Sequence, residues 1–199
     1  MITKKIVYFE RSGKENTEDI IDIVADRLKE GDIKSVVVAS SWGQTGLTFA
    51  RRLANITNLI VVSSHPGRNK PGVWDFNREA LKQLEEMGCT VLRQTHVLSG
   101  LERSISGKFS GVSHTEVIAE SLKTLFCTGM KVAIECTIMA ADGGVIPIEK
   151  TIAVGGTSAR GRGADCAIVA LPSHANNFFD FKVLEILAKP FGNKEVLTS

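Results

Sequence analysis

Two hydrophobic periods alternate along the chain. Bare apolar runs of strand length recur at 5–10 (KIVYFE), 35–40 (SVVVAS), 58–64 (NLIVVSS), 90–97 (TVLRQTHV), 131–140 (KVAIECTIMA), 150–156 (KTIAVGG), 166–172 (CAIVALP) and 182–190 (KVLEILAKP). Runs of this kind predict strands buried on both faces. Between many of them the spacing turns helical. Thr17 to Lys29 places Ile20, Ile21, Val24 and Leu28 on one stripe, behind a polar, acidic start and ahead of Gly31. Gln44 to Ala54, Asp75 to Met87 and His114 to Cys127 follow the same rule, the last two stopping before Gly88 and Gly129.

Strand, helix, strand in succession predicts crossover units and a mostly parallel sheet covered by helices on both faces. From Lys150 onward the strands are separated only by TSARGRGAD and SHANNFFDF, too little for packed crossover helices. An antiparallel strand is therefore expected there, with KVLEILAKP, alternating and ending in Pro190, at an edge. The expected class is α/β, a three-layer α/β/α sandwich whose mostly parallel sheet has an antiparallel C-terminal edge. With no internal repeat and no low-complexity linker, residues 1–199 read as a single domain.

Composition narrows the partners. The formal net charge is only +2, and no basic patch stands out to suggest nucleic acid. No apolar run is long enough to span a bilayer, so a soluble cytoplasmic protein is expected. Cys89, Cys127, Cys136 and Cys166 stand far apart with no C-x-x-C pair, and read as small core residues in a reducing compartment. No metal-ligand cluster, nucleophile elbow or Ser-His-Asp spacing is present, so no catalytic residue is assigned.

The first candidate chemistry is SSWGQTG, residues 40–46, between a strand and a helix. In a parallel α/β sheet, ligands bind outside the carboxyl ends of the strands. Gly43 and Gly46 allow backbone N–H groups to approach an anion, while Ser40, Ser41 and Thr45 offer hydroxyls and the first helical turn offers free amides. That combination suits phosphate; the alternative is that Ser and Gly simply cap the helix. No lysine follows the second glycine, so this is not a Walker loop.

The stretch VVVASSWGQTGLTFARRLANITNLIVVSSHPG resembles the C-terminal α/β domain of pyruvate kinase, with Ser40, Gly43, Thr45, Ala50 and Arg51 at matching positions. In that family the loop grips a phosphate of an allosteric sugar bisphosphate in many members. The likeness is close over about residues 33 to 66 and departs at Trp42 and Gly46, where the pattern has Ser and Ala. Pyruvate kinase chemistry resides in a separate barrel domain for which this chain leaves no room. The resemblance therefore implies a stand-alone relative of the regulatory domain that is not a pyruvate kinase. It also implies homo-oligomerisation, since the related domain contributes to subunit contacts.

Further loops add candidates. Ser63, Ser64 and His65 end the next strand, and 95–116 (THVLSGLERSISGKFSGVSHTE) is a long connection of the kind that forms lids, with His96, Glu102, Arg103 and Lys108 in it. VGGTSARGRGAD places Gly155, Gly156, Thr157, Arg160 and Gly163 on a flexible cationic loop fit to cover a phosphate or approach a flat ring. Glu135 and Asp142 flank an apolar strand in IECTIMAADGG, where a buried carboxylate would have a raised pKa and serve as acid or base. SSWGQTG, hydroxyl-rich and lysine-free, also looks like the phosphate loop of flavodoxins, and Trp42 (with Gln44 beside it) would lie against an isoalloxazine ring. The expected ligand is thus a small phosphorylated molecule, FMN first and a sugar phosphate or nucleotide next. The function is either a flavoprotein with redox activity or a non-catalytic small-molecule sensor. A lyase or phosphatase acting through Glu135, Asp142 or His96 is the weaker reading, because no acid and base converge in the sequence.

Overall fold

The computed structural model describes residues 1–157 and 163–192. Its strands are β1 (Val7–Phe9), β2 (Ser35–Ala39), β3 (Asn58–Ser64), β4 (Thr90–Gln94), β5 (Thr151–Gly155), β6 (Cys166–Leu171) and β7 (Lys182–Pro190). Its α-helices are α1 (Thr17–Leu28), α2 (Gln44–Leu53), α3 (Arg78–Glu86), α4 (Gly100–Phe109), α5 (His114–Leu125) and α6 (Thr128–Asp142). The strands form one sheet in the order β1-β7-β6-β5-β2-β3-β4, with β6 antiparallel to both neighbours and the other pairs parallel.

The pleat explains the bare apolar runs. Val36 and Val38 of β2, Val61 of β3, Ile152 and Val154 of β5 and Val169 of β6 face α1, α2 and α3, meeting Ile20, Ile21, Val24, Phe49, Leu53 and Leu84. The intervening residues Val37, Ile60, Val62, Ala153 and Ile168 face α6. Both faces are dry, so alternation of polar and apolar residues never develops in these strands. Each fully buried Val, Ile or Leu contributes about 2 kcal/mol. The three-layer α/β/α architecture expected of the sequence is thus observed.

Three expectations are corrected. The run 131–140 is a helix, α6, rather than a strand: Met130, Ala133, Ile134, Ile138, Met139 and Ala140 are all buried, between the sheet and its helical cover. A helix enclosed all round loses its stripe and reads like a buried strand. The connection 95–116 is not irregular, because α4 occupies much of it. And β7, though it belongs to the part of the sheet that carries the antiparallel direction, is covered by β1, which pairs Val7 with Ala188 and Phe9 with Pro190.

Two contacts fix the ends of the sandwich. At the amino ends of the strands, Arg27 of α1 is buried and ion-pairs Asp32 at 2.7 Å and Glu185 of β7 at 2.8 Å. At the carboxyl ends, α6 lies directly on β5. A Cβ on Gly155 would sit 2.8 Å from Ala133 N and closer still to Gly129 O, and one on Gly129 would sit 2.6 Å from Cys166 Cβ. Only two glycines permit that approach. Gly155→Ala is accordingly expected to destabilise the protein by about 3 kcal/mol, the upper range for overpacking, measured as a lowered urea midpoint. An unchanged midpoint would show that α6 is free to lift from the sheet.

Candidate functional site

The outgoing connections define where a ligand can sit. From β3 the chain passes to α3 on one face of the sheet, whereas from the neighbouring β4 it passes to α4, α5 and α6. α6 packs on the opposite face. Adjacent strands whose connections diverge leave a crevice outside their carboxyl ends. Here it measures about 610 Å³ and reaches from Ser40 and Ser41 after β2 to Gly156 after β5, within the range of small-molecule sites.

Its wall is rich in cationic side chains. One face of α6, Thr128, Lys131, Val132, Glu135 and Cys136, forms the side above β5 and β2. Arg68 enters from the loop after β3, Ser99, Gly100, Arg103 and Ser104 from the start of α4, and Lys123 from α5. The N-termini of α4 and α6 therefore open on the crevice, with Ser40 and Ser41 leading into that of α2. Among the described residues no acceptor is found for the N–H groups of Gln44, Thr45, Thr128 or Gly129. Free amides of this kind carry partial positive charge. His65 also lines the crevice, and its buried Nδ1 has no hydrogen-bond partner.

Beneath these groups lies Glu135, with no exposed surface. Its Oε2 receives Lys131 Nζ at 2.5 Å and His96 Nδ1 at 3.1 Å, and its Oε1 receives the Leu98 N–H at 2.9 Å. Burial would push the carboxyl up, but the hydrogen bond and charge of His96, with the Lys131 ammonium, hold it at about 2. The raised pKa expected for a buried carboxylate here is thus reversed by its partners. The signal in the sequence was Lys131 and Glu135 four apart, one helical turn, which reading this segment as a strand concealed. Asp142 lies about 10 Å further along α6, outside the crevice, and accepts from His174 Nδ1 and the Ala175 N–H.

The expected site residues divide. Ser40, Ser41, His65, His96, Gly156 and Gly163 do line the crevice together. Thr45 and Thr157 serve the scaffold: Gly163 N–H donates to Thr45 Oγ1 at 2.9 Å, and Thr157 donates from N and Oγ1 to the buried Asp165, which also takes the Gly13 N–H. Burial raises the Asp165 carboxyl to about 6, against the lowering effect of those hydrogen bonds. Ser40 serves the scaffold as well, its Oγ accepting from the first-turn Gly46 N–H at 3.1 Å. Gly43 packs where a Cβ would meet Ala80 and Phe76, Gly46 where one would meet Val61, and Gly155 beneath α6. Ser63 and Ser64 hold the indole N–H of Trp74. Trp42 and Gln44 stand outside the crevice wall, as does Lys108, whose ammonium lies over the Phe109 ring. Arg160 lies outside the described residues. Lys131, Thr128, Arg68, Lys123 and Ser99 were not anticipated, since each is supplied by an element whose place in space the local pattern does not disclose.

No protein-family model matches the chain. Among the described residues no group of three metal-ligating side chains is present, and no helix is long and apolar enough to cross a membrane.

Glu135 makes stability depend on pH. A carboxyl whose folded pKa lies near 2 against an ordinary 4.5 stabilises the fold above 4.5 and loses that contribution as pH falls toward 2, about 3 kcal/mol in all. Glu135→Gln, which strands Lys131 without its counter-charge, is expected to be less stable than wild type at pH 7. Between pH 5 and pH 2 its stability should fall less than that of wild type. Parallel declines of the two proteins in urea titrations would show that the carboxyl is not held down.

Proposed function

We propose that the crevice at the carboxyl ends of β2 to β5 binds a small phosphorylated ligand. The observation that carries this reading is convergence. Arg68, Arg103, Lys123 and Lys131 line one crevice together with the starts of α4 and α6, and its one carboxylate among the described residues is already paired with Lys131 and hydrogen-bonded by His96. Such a surface favours a dianion through charge-assisted hydrogen bonds and free helix amides. The resemblance of residues 33 to 66 to the pyruvate kinase regulatory domain points to the same end of the sheet. FMN is the first candidate: its phosphate would take the cationic groups, and the volume suits a cofactor of that class. Among the described residues the wall includes His65 and His96 and no Trp, Tyr or Phe, which favours the second candidate, a sugar phosphate or nucleotide bound by a sensor.

The spectrum of protein purified without added cofactor separates them. Flavin absorbance, with FMN released by acid, identifies a flavoprotein. A colourless protein whose melting temperature rises only with sugar phosphates or nucleotides identifies a sensor. For either ligand, Arg103→Ala is expected to weaken binding about tenfold or more, read by titration calorimetry; unchanged affinity would move the anion away from α4.

The protein partner we infer is a second copy. None of the residues of α4 is buried, and Leu101, Ile105 and Phe109 form an exposed stripe (75%, 46% and 71% exposed) on the side away from Gly100, Arg103 and Ser104. A two-fold axis beside Ile105 sets Leu101 against the second copy's Phe109, so that the apolar stripe is self-complementary. Ile105→Glu is expected to convert a dimer to a monomer in sedimentation experiments. A wild-type monomer, or a dimer that survives the change, would exclude this face.

A further inference from the structure

A phosphate cradle needs donors, yet this one has a fully buried carboxylate set beneath its histidine and lysine. An ionised carboxylate only accepts, so the Glu135 contact requires the proton of His96 on Nδ1. The lone pair of the neutral ring then lies on Nε2, for which no partner is found among the described residues. His96 lines the crevice beside Lys131, whose ammonium shares the same Glu135 oxygen, and the N-terminus of α6 opens into that space at Thr128. The acid and base that the sequence left unpaired do converge here, 39 residues apart in the chain.

From this geometry we propose that His96 is a phosphoryl acceptor: the crevice takes a phosphoryl compound with a good leaving group, of the acyl phosphate class, and transfers its phosphoryl group to Nε2. The proposal rests on the phosphate reading given above. Nε2 attacks phosphorus, the N–P bond forms as the P–O bond to the acyl group breaks, and the electron pair departs with the carboxylate, which needs no proton. The ring that results is cationic and keeps its Nδ1 proton against Glu135, whose charge offsets it. Lys131 and the start of α6 line the same crevice as His96 and would supply positive charge to the equatorial oxygens. Glu135 is the positioning residue. It fixes the tautomer and ring orientation through its hydrogen bond from Nδ1, as carboxylates bonded to functional histidines do elsewhere.

Acetyl phosphate is the probe, and sulfate the competitor. Incubation of the whole chain should add one acid-labile, base-stable phosphoryl group, located at His96 by fragmentation, and sulfate should slow the labelling. His96→Gln should abolish it while sulfate binding persists. Glu135→Gln should slow it at least about tenfold and change its pH profile, with sulfate still competing. Absence of labelling in wild type that binds sulfate would overturn the phosphoryl acceptor alone. Labelling of the exposed His174 as fast as His96 would also overturn it, as solvent chemistry. Labelling of His96 that sulfate does not slow would uphold the nucleophile and remove the phosphate cradle.

Discussion

The arrangement depends on one close contact of backbone with backbone. Gly129 and Gly155 let the first turn of α6 rest on the end of β5 with no side chain between them. Any Cβ at this point would lift the helix start away from the sheet. With the helix seated, Thr128, Lys131, Glu135 and Cys136 all lie along the wall of the crevice, and the free amides of the first turn face the space into which β2 and β5 deliver their loops. Cys127 completes the helix start, its Sγ accepting from Met130 N–H at 3.3 Å. A small apolar residue that also caps a helix is an economical use of a buried thiol.

The two ends of the sandwich handle charge differently. At the amino ends, Arg27 is paired with Asp32 and Glu185 and its guanidinium pKa is raised further, chiefly by its hydrogen bonds to those carboxylates. That cluster is saturated and joins α1 to β7. At the carboxyl ends, Glu135 neutralises part of a cationic surface and leaves Arg68, Arg103 and Lys123 facing the crevice. An excess of positive groups around enclosed space is useful when a ligand supplies the balancing charge, and otherwise costs self-repulsion. α4 links the crevice with the outside, presenting Arg103 and Ser104 to one and Leu101, Ile105 and Phe109 to the other.

Local chemistry was legible wherever its cause was local. The ends of α1 and α2 agree with the expected segments within one residue, because their stripes and stop signals belong to the segment itself. The loop after β2 is legible as a turn into a helix, and Ser40 Oγ accepts the Gly46 N–H of its first turn. What this loop does not do alone is form the crevice: Gly43, Gly46 and Thr45 are committed to packing and to the Gly163 N–H, so the anion-facing groups come largely from elsewhere. α6 is not legible as a helix because burial on nearly all sides erases the periodicity by which a helix announces itself.

The residues by themselves determined the class of fold. Apolar runs buried on both faces, separated by amphipathic helices, have few stable solutions other than a helix-covered, mostly parallel sheet, and the crowded C-terminal quarter demanded a reversal of direction. They also determined that the ends of the strands would carry glycine and hydroxyl groups. Tertiary structure alone decided which groups share the crevice. His96 and Glu135 meet because β4 and α6 converge from different layers, and Lys131 joins them because the segment is a helix and not a strand. Pairings over such distances are set by how whole elements pack, and the free energy of that packing is spread over the entire core rather than written into any one stretch of sequence.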